Sequence, residues 1–163
     1  RQRQMCIRDS NIYLEYKNFD LTMFWQGVQG VDIISDLKKE TDLWSGLNIG
    51  FLNKGKRVLD AWSPANPGSD IPALARNDSN NEKRVSTYYV ENGSFLKLRN
   101  LQVGYNVPKA WTEKIRMERL RFYLSAQNLL TIKSKDFTGV DPENVNYGYP
   151  IPLNITFGVN VSF

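Results

Sequence analysis

The stretch that most limits what this chain can fold into is 153–163, Leu-Asn-Ile-Thr-Phe-Gly-Val-Asn-Val-Ser-Phe. Leu153, Ile155, Phe157, Val159, Val161 and Phe163 are apolar, while Asn154, Thr156, Gly158, Asn160 and Ser162 between them are polar or glycine. Successive side chains of a strand point to opposite faces, so the segment reads as a strand with one apolar and one polar face. It also closes on an aromatic ring. A transmembrane β-barrel has a use for all of this: strands of about 9–11 residues, apolar toward lipid, polar toward the lumen, with rings at the interface.

The same alternation recurs upstream. Ile12, Leu14 and Tyr16 alternate with Tyr13, Glu15 and Lys17; Leu21, Met23 and Trp25 alternate with Thr22, Phe24 and Gln26. The polar step 17–20 between them, Lys-Asn-Phe-Asp, makes the pair a hairpin. Leu96 and Leu98 share one phase and Leu101, Val103, Tyr105 and Val107 the other, so a bulge is expected near Arg99 and Asn100. Leu120, Phe122, Leu124 and Ala126 alternate with Arg121, Tyr123, Ser125 and Gln127. The connections run short, long, short, long: 17–20, 27–86, 108–118 and 133–152. Antiparallel order sends alternate connections to opposite ends of a sheet, so both long ones share an end. Outer-membrane barrels have this asymmetry, with long extracellular loops and short turns opposite. Within the long connection, Asp36-Leu37-Lys38-Lys39-Glu40 is compatible with a short helix, and so is 108–115.

Composition narrows the function. Eight Tyr, eight Phe and four Trp in a chain of mean hydropathy −0.46 suit a barrel with ring girdles, and equally a soluble, secreted carbohydrate-binding β-sandwich. No run of eighteen apolar residues exists, which excludes a transmembrane helix but not a barrel. Histidine is absent, removing His-based acid–base catalysis and the usual zinc sets. With no nucleophile–base spacing either, neither an enzyme nor a cofactor is expected. The net charge of +4 is partly due to Arg1, Arg3 and Arg8, and the remainder is mixed in sign, so no nucleic-acid surface is read into it.

Residues 1–10, RQRQMCIRDS, lack periodicity, hold the lone Cys6, and resemble a translated adapter scar. They are set aside as non-native, leaving 11–163 as the folded part. No secretory signal precedes the strands, so the expectation is that an exported protein's true start lies upstream.

The succession of segments after Asn11 resembles the C-terminal part of SusC/RagA-type TonB-linked outer-membrane transporters. It is carried by Tyr16-Lys17-Asn18-Phe19-Asp20-Leu21, Gln26-Gly27-Val28-Gln29-Gly30 and Glu91-Asn92-Gly93-Ser94-Phe95-Leu96-Lys97-Leu98-Arg99-Asn100, running into Leu101-Gln102-Val103-Gly104-Tyr105-Asn106-Val107-Pro108. Leu124-Ser125-Ala126-Gln127-Asn128-Leu129-Leu130-Thr131, Gly139-Val140-Asp141-Pro142-Glu143 and the closing Phe157–Phe163 follow in the same order. The resemblance implies an all-β antiparallel transmembrane barrel of which this chain holds about the last five strands. It implies energised import of glycans or peptides across a Gram-negative outer membrane, of the kind found in Bacteroidetes. It also implies a SusD-like surface lipoprotein as lid, the TonB complex acting through a missing N-terminal region, and outer-membrane lipid around the barrel. Phe157, Val159, Val161 and Phe163 resemble the terminal signal read by the barrel-assembly machinery, the simpler reading of Phe163 being an interfacial anchor. Trp44, Trp62, Tyr147 and Tyr149 on the long connections are candidates for contact with substrate or lid, against the plainer role of propping their own loops. Asp141 and Glu143, split by Pro142, read as a solvated turn rather than a catalytic or calcium pair. Gln127 and Asn128 read as a structural hydrogen bond at the rim.

Overall fold

Sustained alternation becomes strand throughout the chain, and the computed structural model describes residues 6–43, 53–75, 81, 84–144 and 149–163. In chain order the elements are β1 (Cys6–Tyr16), β2 (Phe19–Gln29), β3 (Asp32–Ile34), α1 (Asp36–Asp42), β4 (Val90–Asn92), β5 (Phe95–Asn106), α2 (Lys109–Thr112), β6 (Arg119–Lys133) and β7 (Asn154–Ser162). Short 3-10 turns occupy Lys56–Asp60, Thr87–Tyr89 and Glu113–Ile115. The chain is all-β in class, and no helix among the described residues is long and apolar enough to cross a membrane.

Two compact units result. One comprises Arg1–Val31, Gly93–Ser134 and Ile151–Phe163, and the other Asp32–Asn92 and Lys135–Pro150. The first unit is an open antiparallel sheet in the order β1-β2-β5-β6-β7. Its hairpin β1–β2 is tighter than the sequence suggests: Tyr16 pairs with Phe19 across two residues, Lys17 and Asn18. Lys17 takes the left-handed conformation, φ 55°, which lets so short a loop reverse the chain. Strand β1 starts at Cys6, where the ladder pairs Cys6 with Gln29, and so it takes in five residues set aside from the sequence. That finding concerns the conformation of 6–10, not its origin.

The bulge expected near Arg99 is present and spreads across three strands. Phe24 pairs with Asn100 but Trp25 pairs with Leu98, so Arg99 is left over on β5. Asn100 pairs with Gln127 but Leu98 pairs with Leu130, so Asn128 and Leu129 are left over on β6. One extra residue reverses the phase of β5, and two restore it on β6. The arrangement keeps Trp25, Leu98 and Leu130 on the same face as Met23, Leu101 and Ala126. Arg99 bridges the irregularity: its Nε donates to Gln26 Oε1 at 2.7 Å, and its Nη1 donates to Asn128 Oδ1 at 3.4 Å. Asn128, at φ 56°, in turn donates from Nδ2 to the Pro152 carbonyl at 3.2 Å, the structural rim bond expected of it.

The long connection 27–86 is not a featureless loop. From Asp32 onward it belongs, with the residues up to Asn92 and with Lys135–Pro150, to the second unit, in which β3 and β4 pair and α1 starts on Ser35, whose Oγ accepts the Lys38 N–H at 3.3 Å. Leu43, Tyr89 and Phe137 form its small apolar core. The short helix expected at Asp36–Glu40 is present and runs on to Asp42, whereas β3 and β4, three residues each, are too short to show a period and were not expected.

Candidate functional site

The sheet of the first unit is built inside out. Tyr16, Leu14 and Ile12 on β1 lie beside Phe19, Leu21 and Met23 on β2, and then beside Tyr105, Val103 and Leu101 on β5. Phe122, Leu124 and Ala126 on β6 and Val159, Phe157 and Ile155 on β7 complete the face. This apolar surface is largely uncovered: Leu14 is 56% exposed, Phe19 54%, Leu124 50% and Phe157 67%. Rings pack along it, Phe19 on Tyr105 with centroids 4.8 Å apart and Phe122 on Phe157 at 6.4 Å. A soluble monomer rarely leaves more than a few hundred Å² of contiguous apolar surface bare.

The opposite face carries the buried charge. Asp20 on β2, only 6% exposed, receives the Arg121 guanidinium of β6 across the intervening strand, Nη2 to Oδ1 at 2.5 Å and Nε to Oδ2 at 3.1 Å. Asn106 on β5 adds a donor to Asp20 Oδ2 at 3.3 Å. The crossing passes over Gly104, where a Cβ would collide with both Asp20 oxygens and with Arg121 Nη2. Any larger residue there would force the ion pair to shift. On β7, the Tyr123 ring of β6 lies over Gly158 in the same way. Nothing in the sequence marks Asp20 and Arg121 as partners, since 101 residues separate them.

In the second unit the buried carboxylates of Asp42 and Glu91 are each hydrogen-bonded from several sides. Asp42, with no exposed surface, accepts two hydrogen bonds from Arg57 Nη2 at 2.8 Å, one from the Tyr88 hydroxyl at 2.8 Å and one from Thr41 Oγ1 at 3.1 Å. Burial first, and then the bond donated to Asp42, push the Tyr88 phenol well above the ordinary tyrosine range. Glu91, 3% exposed, accepts from Lys38 Nζ at 3.2 Å, from the Thr138 N–H at 3.0 Å and from Thr138 Oγ1 at 2.7 Å. The sequence suggested a solvated Asp141, but the fold buries it. Its Oδ1 takes the Glu143 N–H at 3.0 Å, so it stiffens the turn in which it sits. No group of three metal-ligating side chains is assembled among the described residues.

The sequence compares with known proteins along nearly its whole length. It is 36% identical over 166 residues to TonB-dependent receptor P3 of Formosa agariphila, covering 92% of this chain and 15% of that protein. To TonB-dependent receptor P26 of the same organism it is 34% identical over 168 residues, covering 92% of this chain and 16% of the relative. The fold superposes on the RagAB peptide importer in its closed-closed state with a TM-score of 0.75 at 28% identity, covering 95% of this chain and 17% of the importer chain. The chain belongs to the SusC/RagA-type TonB-dependent receptors. No family model matches it. It spans about one-sixth of the length of these receptors. They are named as receptors and an importer rather than as enzymes.

Within this receptor segment, Phe157, Val159 and Val161 lie on the apolar face of β7 and Phe163 follows it, 86% exposed. Their strand is the sheet's edge, paired on one side with β6. Trp62 and Tyr149 belong to the second unit, Trp62 45% exposed and Tyr149 97% exposed. Trp44 and Tyr147 lie outside the described residues.

Proposed function

We propose that the chain is the C-terminal barrel portion of a TonB-dependent outer-membrane transporter that imports glycans or peptides. The observation that carries the reading is the inverted sheet, with a bare apolar face across five antiparallel strands and an ion pair buried on the other side. Hydrocarbon removes the cost of that face, and a lumen accommodates the charges. A soluble carbohydrate-binding sandwich would need a second sheet against the apolar face, so this alternative is not favoured. Similarity to a RagAB peptide importer supports the import reading and leaves peptide and glycan as equal candidates.

On this proposal β7 is the closing strand of the barrel, and Phe157, Val159, Val161 and Phe163 are the address read by the assembly machinery. An edge strand with free backbone groups is suited to recognition by strand addition. A SusD-like surface lipoprotein would meet the long connections, where Trp62 and Tyr149 offer exposed rings, with Trp44 and Tyr147 in the same connections. The TonB complex would act on parts of the receptor outside this chain. Cell fractionation tests the proposal: the native protein should require detergent for extraction from the outer membrane and should run as a heat-modifiable band. Recovery of the whole protein from the soluble periplasm would refute it.

A further inference from the structure

We infer that the two long connections, 32–92 and 135–150, are latched into one cooperative body by the contact of Glu91 with Thr138. Both connections belong to one compact unit although they leave the sheet from different strand pairs. The Glu91 carboxylate has a donor from each: Lys38 of α1 in the first connection, and the Thr138 amide and hydroxyl in the second. Thr138 also reaches the first connection at a second point, its Oγ1 standing 3.5 Å from Ser35 Oγ. Ser35 is the residue that caps α1. Phe137, next in sequence, is 4% exposed and belongs to the shared core.

The chemistry makes the latch stiff. Withdrawing Thr138 would take two donors from the buried Glu91 carboxylate, and a deficit of that kind is costly in a buried site. The carboxylate sits on β4, whose partner β3 leads directly into Ser35 and α1. A shift of Glu91 is thus transmitted to the helix, and from the helix to Asp42, Arg57 and Tyr88. Displacing either connection displaces the other. The latch uses contacts within this unit alone and holds whatever the receptor carries.

Hydrogen exchange on the full-length receptor in detergent tests this, with peptides covering 36–43, 86–91 and 136–144. Thr138→Val removes one hydroxyl in the second connection, and Tyr88→Phe removes one in the first. A body that opens as one unit loses the same opening free energy in all its parts, so each variant should accelerate exchange in both connections by a similar factor, about tenfold for one hydrogen bond. Thr138→Ser keeps the hydroxyl and should leave both slow. Acceleration confined to the connection that carries the substitution would overturn the inference. So would Thr138→Ser exchanging as fast as Thr138→Val, since the hydroxyl would then not be the link. The reading as a transporter fails separately, by fractionation, and neither result decides the other.

Discussion

Gly104→Ala is a small change with a large expected effect, because it places one methyl under the Asp20–Arg121 bridge. A Cβ at 104 would lie against both Asp20 oxygens and Arg121 Nη2, closer than real Cβ atoms come. The pair is well shielded, with 7% of the Asp20 side chain and 18% of the Arg121 side chain exposed. Forcing extra volume into a packed site costs about 1–3 kcal/mol, and wholly severing a buried pair costs about 3–5 kcal/mol. Arg121 keeps a path to water, which holds the cost toward the lower range, and alanine returns roughly 0.5–1 kcal/mol relative to glycine in a strand. A net destabilisation of about 1–3 kcal/mol follows. The assay is the urea midpoint of the full-length receptor refolding into lipid vesicles, measured in two backgrounds. In the wild type Gly104→Ala should destabilise by that amount. In an Asp20→Ala, Arg121→Ala background it should be neutral or slightly stabilising, because the bridge above it has gone. Equal destabilisation in both backgrounds would refute the steric argument.

Gly158→Ala should cost less than Gly104→Ala, about 1 kcal/mol, because the atoms it meets are the far end of the Tyr123 ring and can rotate away; Tyr123→Ala should erase the effect in the same refolding assay. Phe157→Arg, on the exposed apolar face, should lower stability in vesicles by about 2–4 kcal/mol, whereas Thr156→Arg on the other face should change it little. Tyr88 has its folded pKa raised above the free value of 10.0, so its contribution is fully present below about pH 10 and is lost as pH rises through the folded value. Tyrosinate absorbance of the receptor should therefore lose a late-titrating component when Tyr88 is changed to Phe.

What was legible in the sequence was what repeats. The faces of β1, β2, β5, β6 and β7 follow from alternation, and the slip at Arg99 announced a bulge, because burial of one face leaves register no freedom. Most of the second unit, the short helix that begins at Asp36 apart, was illegible for the opposite reason. It is held by Asp42 and Glu91, whose partners Arg57, Tyr88 and Thr138 lie 15, 46 and 47 residues away, and by elements too short to carry a period. Asp141 was read as solvated because its neighbours are turn formers, and only the fold buries it. The extension of β1 back to Cys6 was equally hidden, since Arg8 and Ser10 occupy the positions where the apolar alternation would continue. Trp62 and Tyr149 were named as candidates from their rings and loop positions alone, and the exposure of each is decided by the fold.

The central claim is that one face of this sheet meets lipid and the other an aqueous lumen. Spin labels placed singly at each position from Ile155 to Val161 of the native receptor in vesicles, with the exposed Cys6 changed to serine, test it most directly. Accessibility to lipid-soluble oxygen should peak at Ile155, Phe157, Val159 and Val161, and accessibility to a water-soluble nickel chelate at Thr156, Gly158 and Asn160. Accessibility to the water-soluble reagent at all seven positions, or peaking on the apolar ones, would contradict the account.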